Sequence, residues 1–292
     1  MKGIILAGGS GSRLHPLTKV VSKQLLTIYD KPMIYYPLST LMLAEIKDIL
    51  IITTLRDNPL FKKLLGDGSE FGINIQYAIQ EKPSGLPEAF VIGKDFIGND
   101  NVCMILGDNI FHSDTFINKY LIPSFETKIP TIFGYNVQDP ERYGIVQVDK
   151  NNNVLSIEEK PESPNSNYAI TGLYIFDKNA PKIAKELLPS ERGETEIVDM
   201  MNYYLGNKNL NVEILGRGVT WLDTGTHKSL HEASSYIQVL EERQGLKIGC
   251  IEEIAYHKKY ISKDQFINLT EPIKNSEYGK YLIKILNQSS CI

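Results

Sequence analysis

Short apolar runs alternate with helix-like segments through the first half of this chain, and that alternation limits the fold more than any other feature. The runs are rich in β-branched residues and are bounded by Gly, Asp or Asn, as buried strands are. Strands are predicted at Ile4–Ala7, Ile49–Thr53, Ile73–Ala78 and Val102–Leu106. Amphipathic helices are predicted between them, at about Leu38–Glu45, Pro59–Leu65 and Pro87–Gly93. This order predicts an α/β protein with a mixed, mostly parallel central sheet flanked by helices in a Rossmann-like arrangement.

The pattern changes from Thr131 onward. Ile145–Val148 and Val154–Ile157 flank the turn residues Asn151–Asn153, which indicates an antiparallel hairpin, and Tyr168–Phe176 predicts another strand. We therefore expect a more antiparallel insert over about residues 131–225. The remaining predicted elements are helices at about Ala180–Leu187 and Glu196–Leu205, a strand at Val212–Leu215, and a long helix at about Thr226–Arg243.

Gly245 is a typical stop signal for that long helix, and it divides the predicted organisation of the chain. Residues 1–245 are predicted to form the main domain, and residues 246–292 a helical appendage. Within the appendage, Ser262–Gln265 has the form of a capping box that starts a helix.

Charge and cysteine content exclude several classes of protein. The net charge of −4 gives no support to a protein that binds nucleic acid through bulk positive charge. No apolar run approaches the roughly 18 residues of a membrane span. The odd cysteine count and the lack of a CxxC spacing indicate neither a disulfide framework nor a zinc knuckle. We expect a cytoplasmic protein with no membrane or nucleic-acid partner.

A glycine-rich turn directly follows the first predicted strand. Glycines allow backbone N–H groups to approach an anion closely, and Arg13 offers a fixed bidentate fork to phosphate oxygens. The turn matches neither GxGxxG nor a P-loop. Lys23 is expected to place a second cation near this turn, which suits a triphosphate. Considered alone, Lys23 would be interpreted as a solvated surface lysine.

Two other patterns could indicate a metal site or a reactive cysteine, but we interpret both as structural. His227 and His231 stand four residues apart on a predicted helix, but no glutamate follows His227 and no third ligand has zinc spacing. Cys103 falls in a predicted buried strand, where inert packing is the expected role.

Several motifs resemble those of the sugar-1-phosphate nucleotidylyltransferases, and within that family the thymidylyltransferases that act on glucose 1-phosphate. Their order and spacing carry the resemblance over essentially the whole chain. The motifs are LAGGSGSRL at 6–14, SKQLL at 22–26, DKPMIYYPLSTLM at 30–42, LGDN at 106–109, DPERYG at 139–144, EEKP at 158–161, YAITGLY at 168–174 and WLDTGT at 221–226. Lys23-Gln24 separates the chain from uridylyl relatives, whose corresponding stretch usually reads Lys-Glu-Met.

The resemblance implies a reaction in which glucose 1-phosphate attacks the α-phosphorus of dTTP, giving dTDP-glucose and pyrophosphate, as the first step toward dTDP-L-rhamnose. It implies Mg²⁺ as cofactor, held by Asp108 and Asp223, since two carboxylates with water and phosphate oxygens suit this ion. Arg13 would grip the departing pyrophosphate, and Lys23 and Lys160 would hold phosphates nearer the attack.

The same resemblance assigns the binding residues by position. Those implied for the nucleotide are Gly8, Gly9, Gly11, Ser12, Arg13, Gln24, Gln80 and Gly85. Those implied for the sugar are Asn109, Gly144, Glu159 and Ile170. Ser12 replaces a commoner Thr, and Ser84 stands where many members have Asp, so the shape of the base-binding loop is an open point.

Three alternatives stay open on sequence grounds: a UTP-using relative, a non-catalytic homologue that binds nucleotide sugars, and a nicotinamide-dependent oxidoreductase. Retention of Arg13, Lys23, Lys160 and both aspartates argues against the non-catalytic homologue.

The appendage is too apolar over Leu246–Ile254 and Tyr278–Leu286 to be a solvated linker. Longer thymidylyltransferases that resemble this chain are homotetramers inhibited by an end product at a second site. The resemblance therefore implies a homotetramer in which the appendage helps to bind dTDP-L-rhamnose through Arg217 and Glu253. The alternative is a helical cap that packs on its own monomer.

Overall fold

The computed structural model describes residues 1–9, 11–191 and 193–287. Ser10 of the glycine-rich turn, Cys291 and the end of the predicted appendage at 288–292 lie outside these residues. The strands are β1 Lys2–Ala7, β2 Thr27–Ile28, β3 Lys31–Pro32, β4 Asp48–Thr53, β5 Asn74–Ile79, β6 Val102–Leu106, β7 Asn109–His112, β8 Thr131–Asn136, β9 Gly144–Val148, β10 Val154–Glu159, β11 Tyr168–Phe176, β12 Asn211–Ile214 and β13 Thr220–Asp223.

In the described part of the chain, α-helices lie in five of the gaps between consecutive strands, and four more follow the last strand. The helices are α1 Tyr35–Leu43, α2 Asn58–Leu65, α3 Glu88–Ile92, α4 Lys94–Ile97, α5 Ile122–Thr127, α6 Ala180–Glu186, α7 Ile197–Gly206, α8 His227–Gln244, α9 Ile251–His257, α10 Lys263–Thr270 and α11 Glu277–Leu286. The predicted strands and helices are confirmed, with most bounds shifted by one to three residues.

A nine-stranded mixed sheet forms the centre of the protein. Seven of its strands follow the order β10–β9–β11–β6–β1–β4–β5, while β8 pairs with β11 and β12 pairs with β8. In this order β6, β1, β4 and β5 lie side by side and run parallel. The side chains of β1, β4 and β6 are buried on both faces, which explains why these three strands read as continuous apolar runs, whereas β5 lies at the edge of the sheet and keeps exposed side chains such as Gln76. The predicted fold class is confirmed.

The segment after Thr131 is more antiparallel, as predicted, although β12 pairs parallel with β8, and it extends the same sheet. β11 pairs antiparallel with β6, β8 and β9, and β9 with β10 forms the predicted hairpin. The β11–β8 register is interrupted between Ile170 and Tyr174. This interruption frees the backbone around Gly172 from the ladder, so that it can face the site described below.

A second, two-stranded sheet pairs β7 with β13, and Asp223 stands opposite Asn109 in its register. Sequence analysis predicted neither strand as an element of its own. Because Asp108 directly precedes β7 and Asp223 ends β13, this ribbon brings two chain positions more than a hundred residues apart to one place.

A buried ion network ties the β2–β3 hairpin to the far end of α8. The Lys31 ammonium is 2% exposed and lies 2.8 Å from Glu241 Oε1. Lys247 binds Glu241 Oε2 at 3.2 Å and also pairs with Asp30. Gly245 ends α8 in the left-handed conformation (φ 68°), as the sequence predicts.

The C-terminal helices pack on the main core of the same chain. Phe266 and Leu282 are fully buried in one cluster with Leu38 and Leu41 of α1. The Ser262 capping box is present, since its side chain accepts from the Gln265 backbone and Gln265 returns a hydrogen bond to the Ser262 backbone. Most of the apolar surface of the appendage is therefore covered within the monomer, as the alternative of a helical cap requires, while Ile267, Ile273 and Ile283 stay exposed.

Among the described residues, no helix is long and apolar enough to cross a membrane. Cys103 is fully buried in β6, where burial raises the pKa of its thiol well above the ordinary value, as expected for an inert packing residue. His227 and His231 are exposed on α8, and the described residues contain no cluster of three or more metal-ligating side chains.

Neighbouring residues of α11 test how far the C-terminal helices contribute to stability. We expect Leu282→Ala to lower the free energy of unfolding by about 2–5 kcal/mol, since it empties a fully buried site. Ile283→Ala, at a side chain that is 39% exposed, should cost less than about 1 kcal/mol. Urea unfolding measures both. Equal losses would contradict the packing of α11 on the core.

Candidate active site

A cleft of about 440 Å³ opens at the carboxyl ends of β1 and β6, where α/β sheets bind their ligands. Its walls come from the glycine-rich turn, the β6–β7 junction, the start of β9, the end of β10, β11 and the end of β13. The predicted site residues that line it are Gly9, Gly11, Ser12, Arg13, Lys23, Gln24, Gln80, Gly85, Asp108, Asn109, Gly144, Glu159, Lys160, Ile170 and Asp223.

The end of the glycine-rich turn is fixed by the backbone conformation of Gly11 and by the buried side chain of Leu14. Gly11 adopts φ +62°, in the left-handed region that favours glycine, and its carbonyl accepts a 2.8 Å hydrogen bond from the Thr18 hydroxyl. Leu14 is fully buried, whereas Ser12 and Arg13 are exposed. The Arg13 guanidinium lies 3.6 Å from the position that a Cβ on Gly225 would occupy, so it faces the segment that carries Asp223.

Lys23 and Asp108 form an ion pair inside the cleft. The Lys23 side chain is buried, and Asn109 Nδ2 donates to the other Asp108 oxygen at 2.9 Å. Burial alone would raise the pKa of Asp108, but the Lys23 ammonium and these hydrogen bonds outweigh it and lower that pKa below its ordinary value. Asp108 is therefore held as a carboxylate.

Asp223 has the opposite electrostatic environment. Burial and the Asp108 charge raise the pKa of Asp223, and the charges of Lys23 and Arg13 offset this only in part. No hydrogen bond between described residues reaches the Asp223 carboxylate. Its two oxygens lie 3.2 and 3.3 Å from the position that a Cβ on Gly225 would occupy. A half-buried, unpaired carboxylate beside a second carboxylate is a place where a cation would be stabilised.

The donor set at this place fits a hard divalent cation. Asp108, directly before β7, and Asp223, at the end of β13, supply carboxylate oxygens at the same end of the β7–β13 ribbon. The described residues hold no larger ligand cluster, which leaves positions for water and substrate oxygens. Mg²⁺ prefers this combination, because it keeps several waters and rarely takes an all-protein cage.

The side-chain amide of Asn109 connects three parts of the site. Its oxygen accepts from the Gly172 backbone at 3.0 Å and from Trp221 Nε1 at 2.6 Å, while its nitrogen donates to Asp108. The amide occupies the space of a side chain at Gly172, since a Cβ there would lie 2.6 Å from the Asn109 oxygen. Asn109 is 3% exposed, so it has a structural role in addition to its predicted contact with the sugar.

The remaining predicted sugar residues lie together on the opposite wall. A Cβ on Gly144 would be 3.3 Å from a Glu159 carboxylate oxygen and 3.8 Å from Ile170 Cδ1. Lys160 pairs with Glu159 at 2.8 Å and is exposed to the cleft mouth. The predicted sugar set is thus brought together in space.

The predicted base residues form a third wall at the end of β5. Gln80 is 5% exposed, and its amide nitrogen donates to Glu88 at 2.6 Å. Gly8 lies against this amide, and the Gln24 amide oxygen accepts from the Ser22 hydroxyl at 2.6 Å.

Gly85 has to be glycine where it stands. Its φ is +113°, and a Cβ would fall 2.0 Å from the Thr195 carbonyl oxygen. The adjacent Ser84 carbonyl accepts from the Thr195 backbone at 2.8 Å and from its hydroxyl at 3.0 Å. The loop is thereby fixed through its backbone, and the side chain at Ser84 does not set this contact.

Arg217 and Glu253 lie away from the cleft. Arg217 is exposed in the turn between β12 and β13. Glu253 is 4% exposed on α9, where it accepts a 2.6 Å hydrogen bond from the Tyr281 hydroxyl of α11. In the described part of the chain, no hydrogen bond or ion pair joins the two.

Several cleft residues were not assigned from the sequence. Arg142 and Tyr143 line the cleft, and the Arg142 charge partly offsets the rise in the pKa of Asp223. Thr195 and Trp221 also line it. Arg142, Tyr143 and Trp221 fall inside the DPERYG and WLDTGT motifs, which could have indicated them, whereas Thr195 carries no sequence signal.

Comparison with known proteins extends these observations to the whole chain. The family profile described as nucleotidyl transferase matches residues 2–239. This chain belongs to the nucleotidyl transferase family. A glucose-1-phosphate thymidylyltransferase of Neisseria meningitidis serogroup A is 54% identical over 288 residues, covering 99% of this chain and 100% of the relative. One from Mycobacterium tuberculosis is 48% identical over 292 residues, at 99% and 100% coverage.

Solved structures of nucleotidyl transferases share the fold. A structure described as a Bacillus anthracis glucose-1-phosphate thymidylyltransferase in complex with sucrose has 41% identity and a TM-score of 0.75, covering 81% of this chain and 94% of its own. A UDP-glucose pyrophosphorylase complexed with UDP-glucose matches with a TM-score of 0.74, covering 82% and 98%; at 23% identity it supports the fold alone.

The Asn109 amide makes a specific prediction. Asn109→Asp would place a second buried carboxyl beside Asp108 and remove the donor to it. Its folded pKa would exceed the unfolded value of about 3.9, so the loss of stability should grow as pH rises through that folded pKa. We expect the variant to lose at least about 2 kcal/mol at about pH 8 and clearly less at about pH 5.

Urea unfolding at both pH values measures this, with the exposed Asn118→Asp as a matched charge control. A loss of stability that does not change with pH would show that the amide contacts, and not the added charge, explain the effect.

Proposed function

We propose that the chain is a Mg²⁺-dependent glucose-1-phosphate thymidylyltransferase. A phosphate oxygen of glucose 1-phosphate attacks the α-phosphorus of dTTP, the bond to the β-phosphate oxygen breaks, and dTDP-glucose and pyrophosphate leave. The observation that carries this proposal is the convergence of Asp108, Asp223, Lys23 and Arg13 on one cleft. Full-length similarity to enzymes with that name supports it.

The main obstacle to this reaction is repulsion between two polyanions, and the cleft supplies charges that offset it. Arg13 at the open glycine-rich turn would hold the departing pyrophosphate. Lys23 and Lys160 would hold phosphates nearer the attacked phosphorus, each leaving the carboxylate that it pairs with in this structure. Alignment of the two substrates is then the chief catalytic device.

Asp108 and Asp223 would hold the Mg²⁺ ion, which when bound neutralises phosphate charge. The low pKa of Asp108 keeps it ionised for this role. The sugar would lie against Gly144, Glu159 and Ile170, within the segment 131–225, where Glu159 can accept hydroxyl hydrogens.

A UTP-using enzyme is the second candidate, because thymine and uracil differ by one methyl, worth about 1–3 kcal/mol in a pocket. The high identity to thymidylyltransferases favours dTTP. An enzyme that consumes a nucleoside triphosphate works where such nucleotides are made, so we propose a cytoplasmic location.

We further propose a homotetramer in which dTDP-L-rhamnose inhibits the enzyme. Residues 1–245 would carry the catalysis, while the appendage from 246 would help to form the inhibitor site with Arg217. Glu253 is buried by its own monomer, so any part it plays passes through Tyr281 and α11.

The aspartates test the catalytic proposal. Asp108→Asn and Asp223→Asn should each lower the rate of pyrophosphate release from dTTP, glucose 1-phosphate and Mg²⁺ by about a hundredfold or more, since each removes a charge that acts on the transition state. Asp95→Asn, at an exposed position outside the cleft, should keep the wild-type rate. Near-normal turnover in either cleft variant would remove that residue from the metal role.

Arg217 tests the regulatory proposal without disturbing the fold, because it is exposed. Arg217→Ala should keep the uninhibited rate and raise the concentration of dTDP-L-rhamnose needed for half inhibition by about tenfold, as for loss of a charged contact. The exposed Arg243→Ala should leave that concentration unchanged. Unaltered inhibition in Arg217→Ala would exclude this site.

A further inference from the structure

We propose that Glu88 is a positioning residue that sets which base the cleft accepts. It fixes the Gln80 amide so that the amide oxygen faces the nucleotide, and the pocket then reads an N–H on the base edge and rejects cytosine. This inference rests on the proposed function, because it concerns the base of the nucleotide substrate.

The amide nitrogen of Gln80 has acceptors on one side only. It donates to Glu88 Oε2 at 2.6 Å and lies 3.4 Å from the Gly85 carbonyl oxygen. An ionised carboxylate accepts hydrogen bonds and cannot donate one. If the amide turned over, its oxygen would face the Glu88 oxygen at hydrogen-bond distance with no proton between them, so this orientation is disfavoured.

The other side of the amide faces the glycine-rich turn. The Gln80 oxygen lies only 2.4 Å from the position that a Cβ on Gly8 would occupy, so it uses the space that this glycine leaves. Gln80 lines the cleft, whereas Glu88 does not appear in its wall. Glu88 therefore acts through Gln80 and does not touch the base itself.

The consequence follows from the chemistry of the pyrimidines. Thymine and uracil carry a hydrogen on N3, which can donate to the Gln80 oxygen. Cytosine presents an unprotonated N3, so two acceptors would meet in a buried place, which is costly. Glu88 thus supports selection against cytosine and is neutral between thymine and uracil.

Glu88 is also the first residue of α3, where a negative charge favours the helix. That contribution would affect stability, but it would not distinguish one base from another. The test therefore compares nucleotides within each variant, so that a general loss of stability or of affinity cancels.

The experiment measures equilibrium binding of dTTP, dUTP and dCTP with Mg²⁺ by isothermal titration calorimetry, without sugar phosphate. Wild type is compared with Glu88→Met, which removes the acceptor, and with Glu88→Gln, which keeps a carbonyl oxygen for the Gln80 nitrogen. Glu81→Met, at an exposed position outside the cleft wall, makes the same substitution elsewhere in the same region. Urea unfolding checks that each variant is folded.

We expect Glu88→Met to lower the preference for dTTP over dCTP by about tenfold, the effect of losing one charged hydrogen bond. The preference for dTTP over dUTP should stay at the wild-type value, Glu88→Gln should keep most of the cytosine rejection, and Glu81→Met should match wild type.

An unchanged dTTP-to-dCTP ratio in Glu88→Met overturns the proposal, as does a wild type that does not prefer dTTP over dCTP. An equal fall in Glu88→Gln would assign the effect to the charge and not to the amide orientation. Because the readout is binding, it is independent of catalysis. A wild type that shows the preference but releases no pyrophosphate would refute the proposed function and leave the role of Glu88 in place.

Discussion

The hydrogen bonds of the Asn109 amide hold the site together. One side chain binds the Gly172 backbone of the central sheet, the Trp221 indole of the β7–β13 ribbon and the Asp108 carboxylate. Every donor and acceptor involved is buried or nearly so, and an unpaired group there would cost about 1–3 kcal/mol. The ribbon is therefore fixed to the sheet at the point where the aspartates must meet. These hydrogen bonds keep the β7–β13 ribbon against the sheet, and this holds Asp108 and Asp223 close together despite their like charges.

The charges of the cleft are balanced before any substrate arrives. Lys23 pairs with Asp108, Lys160 pairs with Glu159, and Arg13 faces the region of Asp223. Such pairing lowers the cost of burying each charge and keeps the side chains oriented. A polyphosphate with its cation can exchange with these partners, since it brings both signs of charge. The cleft thus offers positioned charges without a large net field that would attract anions at random.

Much of the fold could be predicted from the sequence because the central strands β1, β4 and β6 are buried on both faces. Continuous β-branched runs such as Ile49–Thr53 carry a strong signal, and the hairpin around Asn151–Asn153 has specific turn chemistry. The β7–β13 ribbon could not be predicted, since each of its strands pairs with a partner more than a hundred residues away along the chain.

The candidate site shows the same division. Residues inside motifs, such as Lys23 and Asp223, could be proposed from the resemblance and do line one cleft. The ion pair between Lys23 and Asp108 could not be predicted, because ion pairs depend on the distances between side chains. The proposed role of Glu88 could not be predicted for the same reason. Glu88 acts by accepting a hydrogen bond from the Gln80 amide, and only the folded structure shows that these two side chains are in contact.

Helix α8 has a consequence for how this sequence can change over time. It begins just after Asp223 and reaches Glu241, which is 6% exposed and binds the buried Lys31. At about 1.5 Å per residue its 18 residues form a rod of roughly 27 Å between the ribbon and the hairpin that follows the Lys23 segment. Lys31 also pairs with Asp30, and Glu241 also pairs with Lys247, so the four charges form one buried network. Replacing any one of them changes the charge balance of the whole network, so these four positions are expected to change together rather than one at a time.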